Sequence, residues 1–75
     1  MPKLPRLTGA EMVSFLKSQG FTVARIRGSH HVMERGERRT TVPVHGSKIL
    51  RIGTLHGILR DVEITAGVFA TLMNR

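Results

Sequence analysis

Residues 27–31 read "RGSHH": an arginine, two turn-forming residues and two adjacent histidines, in a chain with four histidines and no cysteine, tryptophan or tyrosine. An imidazole with a pKa of about 6.5 both takes and gives a proton near neutral pH. His30 or His31 is therefore suited to general acid–base chemistry. On a strand, neighbouring side chains point to opposite faces, so the two cannot address one ligand together, and one of them is expected to be structural.

The charge balance says what such a group would meet. Twelve Lys plus Arg against five Asp plus Glu give a formal charge of +7 and a pI near 11.7. Such a chain suits an anionic partner, and nucleic acid is favoured because each neutralised phosphate releases counterions. Membrane surfaces and acidic proteins stay open as alternatives. On RNA, a histidine can deprotonate the 2′-OH or protonate the leaving 5′-oxygen. The chain has no clustered carboxylates to hold magnesium, so the chemistry open to it is metal-independent cleavage through the 2′-OH. Positioned acid–base catalysis contributes roughly 10²–10⁴-fold. The remainder must come from orientation and from cations that stabilise charge on the phosphorane, for which Arg27, Lys48 and Arg51 are candidates. Arginine adds bidentate contact with phosphate oxygens.

Blander readings stand beside this one. A strand histidine in a basic domain also serves as a structural or phosphate-contacting residue. A zinc site combining His30 or His31 with His45 or His56 needs three or four convergent ligands, and no spacing supports one. No cofactor is expected. Arg38 and Arg39 are equally readable as solvated surface charges. "GSHH" has the look of an expression-tag scar, but such scars sit at a terminus, whereas this one lies between two predicted strands.

The elements that must position these residues follow from local signals. Thr8 and Glu11 fit a capping box, Met12, Val13, Phe15 and Leu16 supply an apolar face, and Gly20 sits where a left-handed ending is wanted. These predict a helix over about 9–19. "FTVARIR" predicts a strand over 21–27, Gly28 and Ser29 a two-residue turn, and "HHVMER" a second strand. After a turn at Gly36, "RRTTVPV" predicts a third strand ending near Val44, with Pro43 confined to an edge or terminus. "HGSKILRIG" reads as a loop. Leu55, Ile58, Leu59 and Val62 predict a helix over about 53–61. Thr65 caps a third helix, with Ile64 and Phe69 placed as a hydrophobic staple. The order is helix, three-stranded antiparallel meander, helix, short helix: an α+β layer with helices on one face of the sheet.

Seventy-five residues make one domain, expected to span 1–75, whose small core hides only about 60% of the unfolded chain's surface. Without cysteine it relies on packing or on a partner. No apolar run reaches the roughly 20 residues that span a bilayer, and "MPKLPRLTG" lacks a signal peptide's apolar stretch. A cytoplasmic protein is expected, with no membrane partner.

In this order, "LTGAEMVSFLKSQGFTVARIRGSHHVM" followed by "TVPVHGSKILRIGTLHGILRDVEI" resembles the HicA (YcfA-like) family, the small mRNA interferases of type II HicA–HicB toxin–antitoxin pairs. The similarity covers about Leu4 to Phe69. The motifs that carry it are the glycine before a strand, the "GSH" turn, "VPVHG" and the "GTL" helix opening. The resemblance implies a double-stranded-RNA-binding-like fold and endoribonuclease activity on mRNA, with His30, directly after "GS", as the catalytic histidine. It also implies a HicB-type antitoxin that covers the active face, and indirect DNA association through that antitoxin. Arg25, Arg27, Gly28, Ser29, His45, Lys48 and Arg51 are the expected RNA-binding residues, and His45 is the candidate for a second acid or base. The alternative function is a non-catalytic RNA-binding module on the same fold.

The chain departs from the family pattern in two places. Ile52 stands where relatives often have a proline that pre-sets the helix entrance, a change expected to affect stability more than activity. "DVEIT" lacks the glycine that ends the second helix in many relatives. A left-handed ending is costlier without it, so the second and third helices are expected to join differently or nearly continuously.

Overall fold

A computed structural model describes residues 4–74; the basic residues Lys3 and Arg75, and with them both ends of the expected 1–75 domain, lie outside the described residues. Six elements follow in chain order: α1 (Gly9–Ser18), β1 (Thr22–Arg27), β2 (His30–Arg35), β3 (Arg38–Pro43), α2 (Ile52–Val62) and α3 (Ala66–Met73). The strands pair antiparallel in the order β1-β2-β3. Helices pack on one face of this meander, the arrangement of the double-stranded-RNA-binding-like fold. No helix among the described residues is long and apolar enough to cross a membrane.

The local signals act as the sequence implies. Glu11 N–H donates to Thr8 Oγ1 at 3.1 Å and Thr8 N–H donates to Glu11 Oε1 at 2.9 Å, closing the capping box of α1. At its other end Gly20 takes φ 91°, and the N–H groups of Gly20 and Phe21 return to the carbonyls of Lys17 and Leu16. Both turns of the meander carry glycine at φ near 60°, Gly28 and Gly36, each first of two residues. Positive φ at that position alone suits a two-residue turn whose twist matches the flanking strands.

The core gathers Met12, Phe15 and Leu16 of α1, Leu55, Ile58 and Val62 of α2, and Phe69 of α3 over Met33 and Val42 of the sheet. Phe15 and Phe69 meet edge-on with ring centroids 4.9 Å apart, a geometry worth roughly 0.5–1.5 kcal/mol beyond area burial. Among the described residues Thr40 is the one buried polar side chain, and its hydroxyl donates to Asp61 Oδ2 at 2.9 Å. That bond ties β3 to the last turn of α2 and removes the penalty of an unpaired buried hydroxyl.

Strand β1 contains an irregularity with large consequences. Val23 pairs with Met33 and Arg25 with Val32, so Ala24 is an extra residue on the bulged strand. Residues on either side of a bulge exchange faces relative to strict alternation. Phe21 and Val23 turn toward the helices, while Arg25 and Arg27 turn to the open face. Without the bulge both arginines would point toward the core.

The join between α2 and α3 corrects the expectation of an altered or continuous connection. Glu63 itself adopts the left-handed conformation, φ 59° and ψ 39°, and the N–H groups of Glu63 and Ile64 bond the carbonyls of Arg60 and Leu59. The glycine-type ending is kept by a residue with a Cβ. Ile64 packs against the core and Thr65 Oγ1 accepts from Val68 N–H at 3.1 Å, so α3 starts as a separate helix. Helix α2 begins at Ile52, one residue earlier than expected, behind Arg51 in an extended conformation with no side-chain cap.

Three substitutions test these local arguments by thermal or denaturant unfolding. A Cβ on buried Gly9 would overlap the carbonyl oxygen of Pro43 and crowd Val44 Cα; backbone cannot yield cheaply, and Gly9→Ala is expected to lose about 3 kcal/mol, the upper end for overpacking. Glu63→Gly relieves the left-handed strain at the cost of an exposed ion pair, for a net gain of about 0.5–1 kcal/mol. Arg51 at φ −65°, ψ 148° already has the conformation a residue before proline requires, so Ile52→Pro is expected to gain about 0.4–1 kcal/mol.

Candidate functional site

The open face of the sheet is organised in cross-strand rows. The first row, at the β1–β2 turn, is Arg27, His30 and Pro43; the second is Arg25, Val32 and Thr41; the third is Thr22, Glu34 and Arg39. Directly opposed residues hold their Cβ atoms about 4.5–5.5 Å apart. His30 thus has a guanidinium-bearing neighbour on one side, a proline on the other, and Arg25 in the next row. His30, Arg25 and Arg27 are all exposed.

His31 takes the other face. It pairs with Ile26 and Val42, is half-buried, and its Nδ1 is enclosed with no hydrogen-bond partner. The two histidines are divided by the sheet, one in solvent and one under the strands.

A second set of residues is brought up to the turn by the loop after β3. Val44 N–H donates to the Ser29 carbonyl at 2.7 Å, and His45 Nε2 lies 3.4 Å from Ser29 Oγ. The loop turns at Gly46 (φ 55°), with Lys48 N–H returning to the His45 carbonyl. It is then anchored by the Thr8–Ile49 bridge and by Leu50 N–H donating to the Leu7 carbonyl at 2.7 Å. Between this loop and the start of α2 lies a cleft of about 220 Å³. Its rim carries His45, Lys48, Arg51 and Thr54, and Pro43, Ile49 and Leu50 form its apolar part.

Charge is distributed unequally around these residues. The ion pairs among the described residues are Arg38 with Glu63 at 3.0 Å and Arg39 with Glu34 at 2.7 Å. Arg38 and Arg39 are thereby neutralised, while Arg25, Arg27, Lys48 and Arg51 face no carboxylate within ion-pair distance among the described residues. No group of three or more His, Asp or Glu side chains converges as metal ligands among the described residues.

The structure therefore assembles the expected residues into two adjoining parts. Arg25, Arg27, Gly28, Ser29 and His30 make up the open face and its turn, and His45, Lys48 and Arg51 surround the cleft beside it. Pro43 belongs to both. His56 stands apart, exposed on α2. Sequence reasoning did not select Pro43, Ile49, Leu50 or Thr54 as site residues. Thr54 was visible within the "GTL" motif, whereas no local signal marks the other three as one wall.

The family model described as HicA toxin of bacterial toxin–antitoxin systems matches residues 9–64, from the first residue of α1 to the residue before the cap of α3. No match is found among curated proteins or solved structures. The match takes in the GSH turn, the full sheet and the loop that carries the cleft, and the chain belongs to the HicA family of toxins of bacterial toxin–antitoxin systems.

Proposed function

We propose that this toxin is a metal-independent endoribonuclease that cleaves mRNA in the cytoplasm, with His30 as its catalytic residue and the whole chain acting as one domain. The observation that carries the reading is the row Arg27–His30–Pro43: an exposed imidazole on an open sheet face, beside an arginine that no carboxylate neutralises. His30 moves a proton at the 2′-OH or at the departing 5′-oxygen. The 2′-oxygen forms a bond to phosphorus as the bond to the 5′-oxygen breaks, leaving a 2′,3′-cyclic phosphate and a 5′-hydroxyl. Arg27 and Arg25 balance the charge that gathers on the phosphoryl oxygens. His45, whose Nε2 lies 3.4 Å from Ser29 Oγ, is the candidate for the second proton transfer.

Substrate is held by the same surface. Gly28 lets the turn approach a backbone phosphate without a side chain in the way, and nothing lies within 4 Å of where its Cβ would be. An antitoxin of the HicB type that lays an acidic surface over this face would cover His30 and neutralise the arginines together. Any association with DNA would then come through that antitoxin.

Incubating the purified chain with mRNA in EDTA tests the assignment. Wild type is expected to cleave, His30→Ala to lose at least 10²-fold in rate, and His31→Ala to retain cleavage once allowance is made for its packing role. Equal cleavage by wild type and His30→Ala, or none by either, overturns it; salt-dependent RNA binding without cleavage or growth arrest would leave a passive RNA-binding module.

A further inference from the structure

The cleft beside His30 has a composition that a simple phosphate grip does not need. All three phenylalanines are buried, and the chain has no tyrosine or tryptophan. Stacking of an RNA base on this protein's surface must therefore use imidazole rings, guanidinium planes or apolar side chains. The cleft brings these together: the ring of His45, the guanidinium of Arg51, and the apolar surface of Pro43 and Ile49, the latter 47% exposed. Lys48 and Arg51 stand at the same opening with no ion-pair partner among the described residues. At about 220 Å³ the cleft is smaller than the roughly 300–1,000 Å³ of drug-sized sites, so it suits a fragment of one nucleotide and excludes a duplex. Pro43 is also the cross-strand neighbour of His30, so a chain crossing His30 reaches the cleft without a gap.

We propose that this cleft is a nucleotide subsite that receives one unpaired RNA nucleotide next to the scissile phosphate, its base against Pro43, His45 and Ile49 and its phosphate on Lys48 and Arg51. The inference rests on reading the His30 face as an RNA surface and deepens it. The substrate must be locally single-stranded, because a base inside a stacked duplex cannot enter a pocket from the side. The fold is shared with duplex-binding modules, but the substrate class is different.

The test uses the full chain carrying His30→Ala, which holds RNA without cutting it, and short labelled oligoribonucleotides read by fluorescence anisotropy. The probes are one single strand, the same strand annealed to its complement, and a series with one abasic position each. The single strand is expected to bind more tightly than the duplex, and one abasic position to weaken binding about 5- to 150-fold, the range for one stacked base. Adding Lys48→Ala and Arg51→Ala should weaken binding about tenfold and reduce the slope of log Kd against log salt by about 0.7. Arg38→Ala, which removes the same kind of charge far from the cleft, should leave the slope unchanged. Adding His45→Ala and Ile49→Ala should abolish the abasic penalty, since the pocket it reports is gone. Circular dichroism checks that each variant is folded, and because each altered side chain is exposed the fold should survive.

The subsite is overturned if duplex binds as tightly as single strand, if no abasic position matters, or if the penalty persists in the His45→Ala, Ile49→Ala protein. It is also overturned if the Lys48 and Arg51 substitutions spare RNA affinity and abolish only antitoxin binding, which would make the cleft a protein-docking surface. Failure of the nuclease assignment looks different: wild type would then cut nothing while the abasic and salt signatures remain.

Discussion

A three-stranded sheet covered by helices on one side must sort every strand residue between a core and a solvent-exposed face, and the period-two geometry of a strand leaves little freedom in how it does so. In β1 the sorting is reset by one extra residue at Ala24. Ahead of it, Phe21 and Val23 contribute to the apolar layer; past it, Arg25 and Arg27 join His30 on the open face. The bulge therefore serves both halves of the molecule. A regular strand would satisfy the core at Phe21 and Val23 and drive two guanidinium groups toward it, or expose the arginines and lose the apolar contacts.

The parts of the site that come from far along the chain are held mainly by backbone, with one long side chain added: the Arg6 guanidinium donates to the Leu50 carbonyl at 2.7 Å. Ser29 bonds Val44, Leu7 bonds Leu50, and Thr8 bridges Ile49. Gly9 allows the first turn of α1 to sit against the Pro43 carbonyl. These connections link the β1–β2 turn, the end of β3, the cleft loop and the start of α1 into one unit. Positioning of this kind costs less conformational entropy on binding than loops that must order around a ligand.

What could be read from the sequence was what depends on neighbours along the chain. The capping box at Thr8 and Glu11, the glycine ending at Gly20, the two-residue turns and the staple at Ile64 and Phe69 are all decided within a few residues; the first helix, the three strands and the second helix fell within one or two residues of their expected limits, and the third helix starts directly after its expected cap at Thr65. The bulge was not legible, because Phe21, Val23, Arg25 and Arg27 alternate without interruption and Ala24 bears no mark of an irregularity. Alternation showed that His30 and His31 must part, but only the burial of Met33 says which one faces the core. The left-handed Glu63 was misjudged because its local cost was visible, whereas the tertiary packing that holds Ile64 and Phe69 in place was not. The cleft depends on residues 43 to 54 folding back on the N-terminal segment, and no periodicity reports such a wall.

The ion pairs at the far end of the sheet also shape the electric field of the whole molecule. Glu34, Glu37, Asp61 and Glu63 lie toward the β2–β3 turn and the end of α2, bonded to Arg39, Thr40 and Arg38 or exposed beside them. Arg35 and Arg60 lie there too, so four carboxylates meet four guanidinium groups at that end, whereas the opposite end sets Glu11 alone against Arg25, Arg27, Lys48 and Arg51, none of which has an ion-pair partner among the described residues. A net charge of +7 is thus also a dipole directed along the strands. A polyanion diffusing nearby feels a torque as well as an attraction, and the GSH end turns toward it before contact; both effects weaken as salt shortens the screening length to about 8–10 Å.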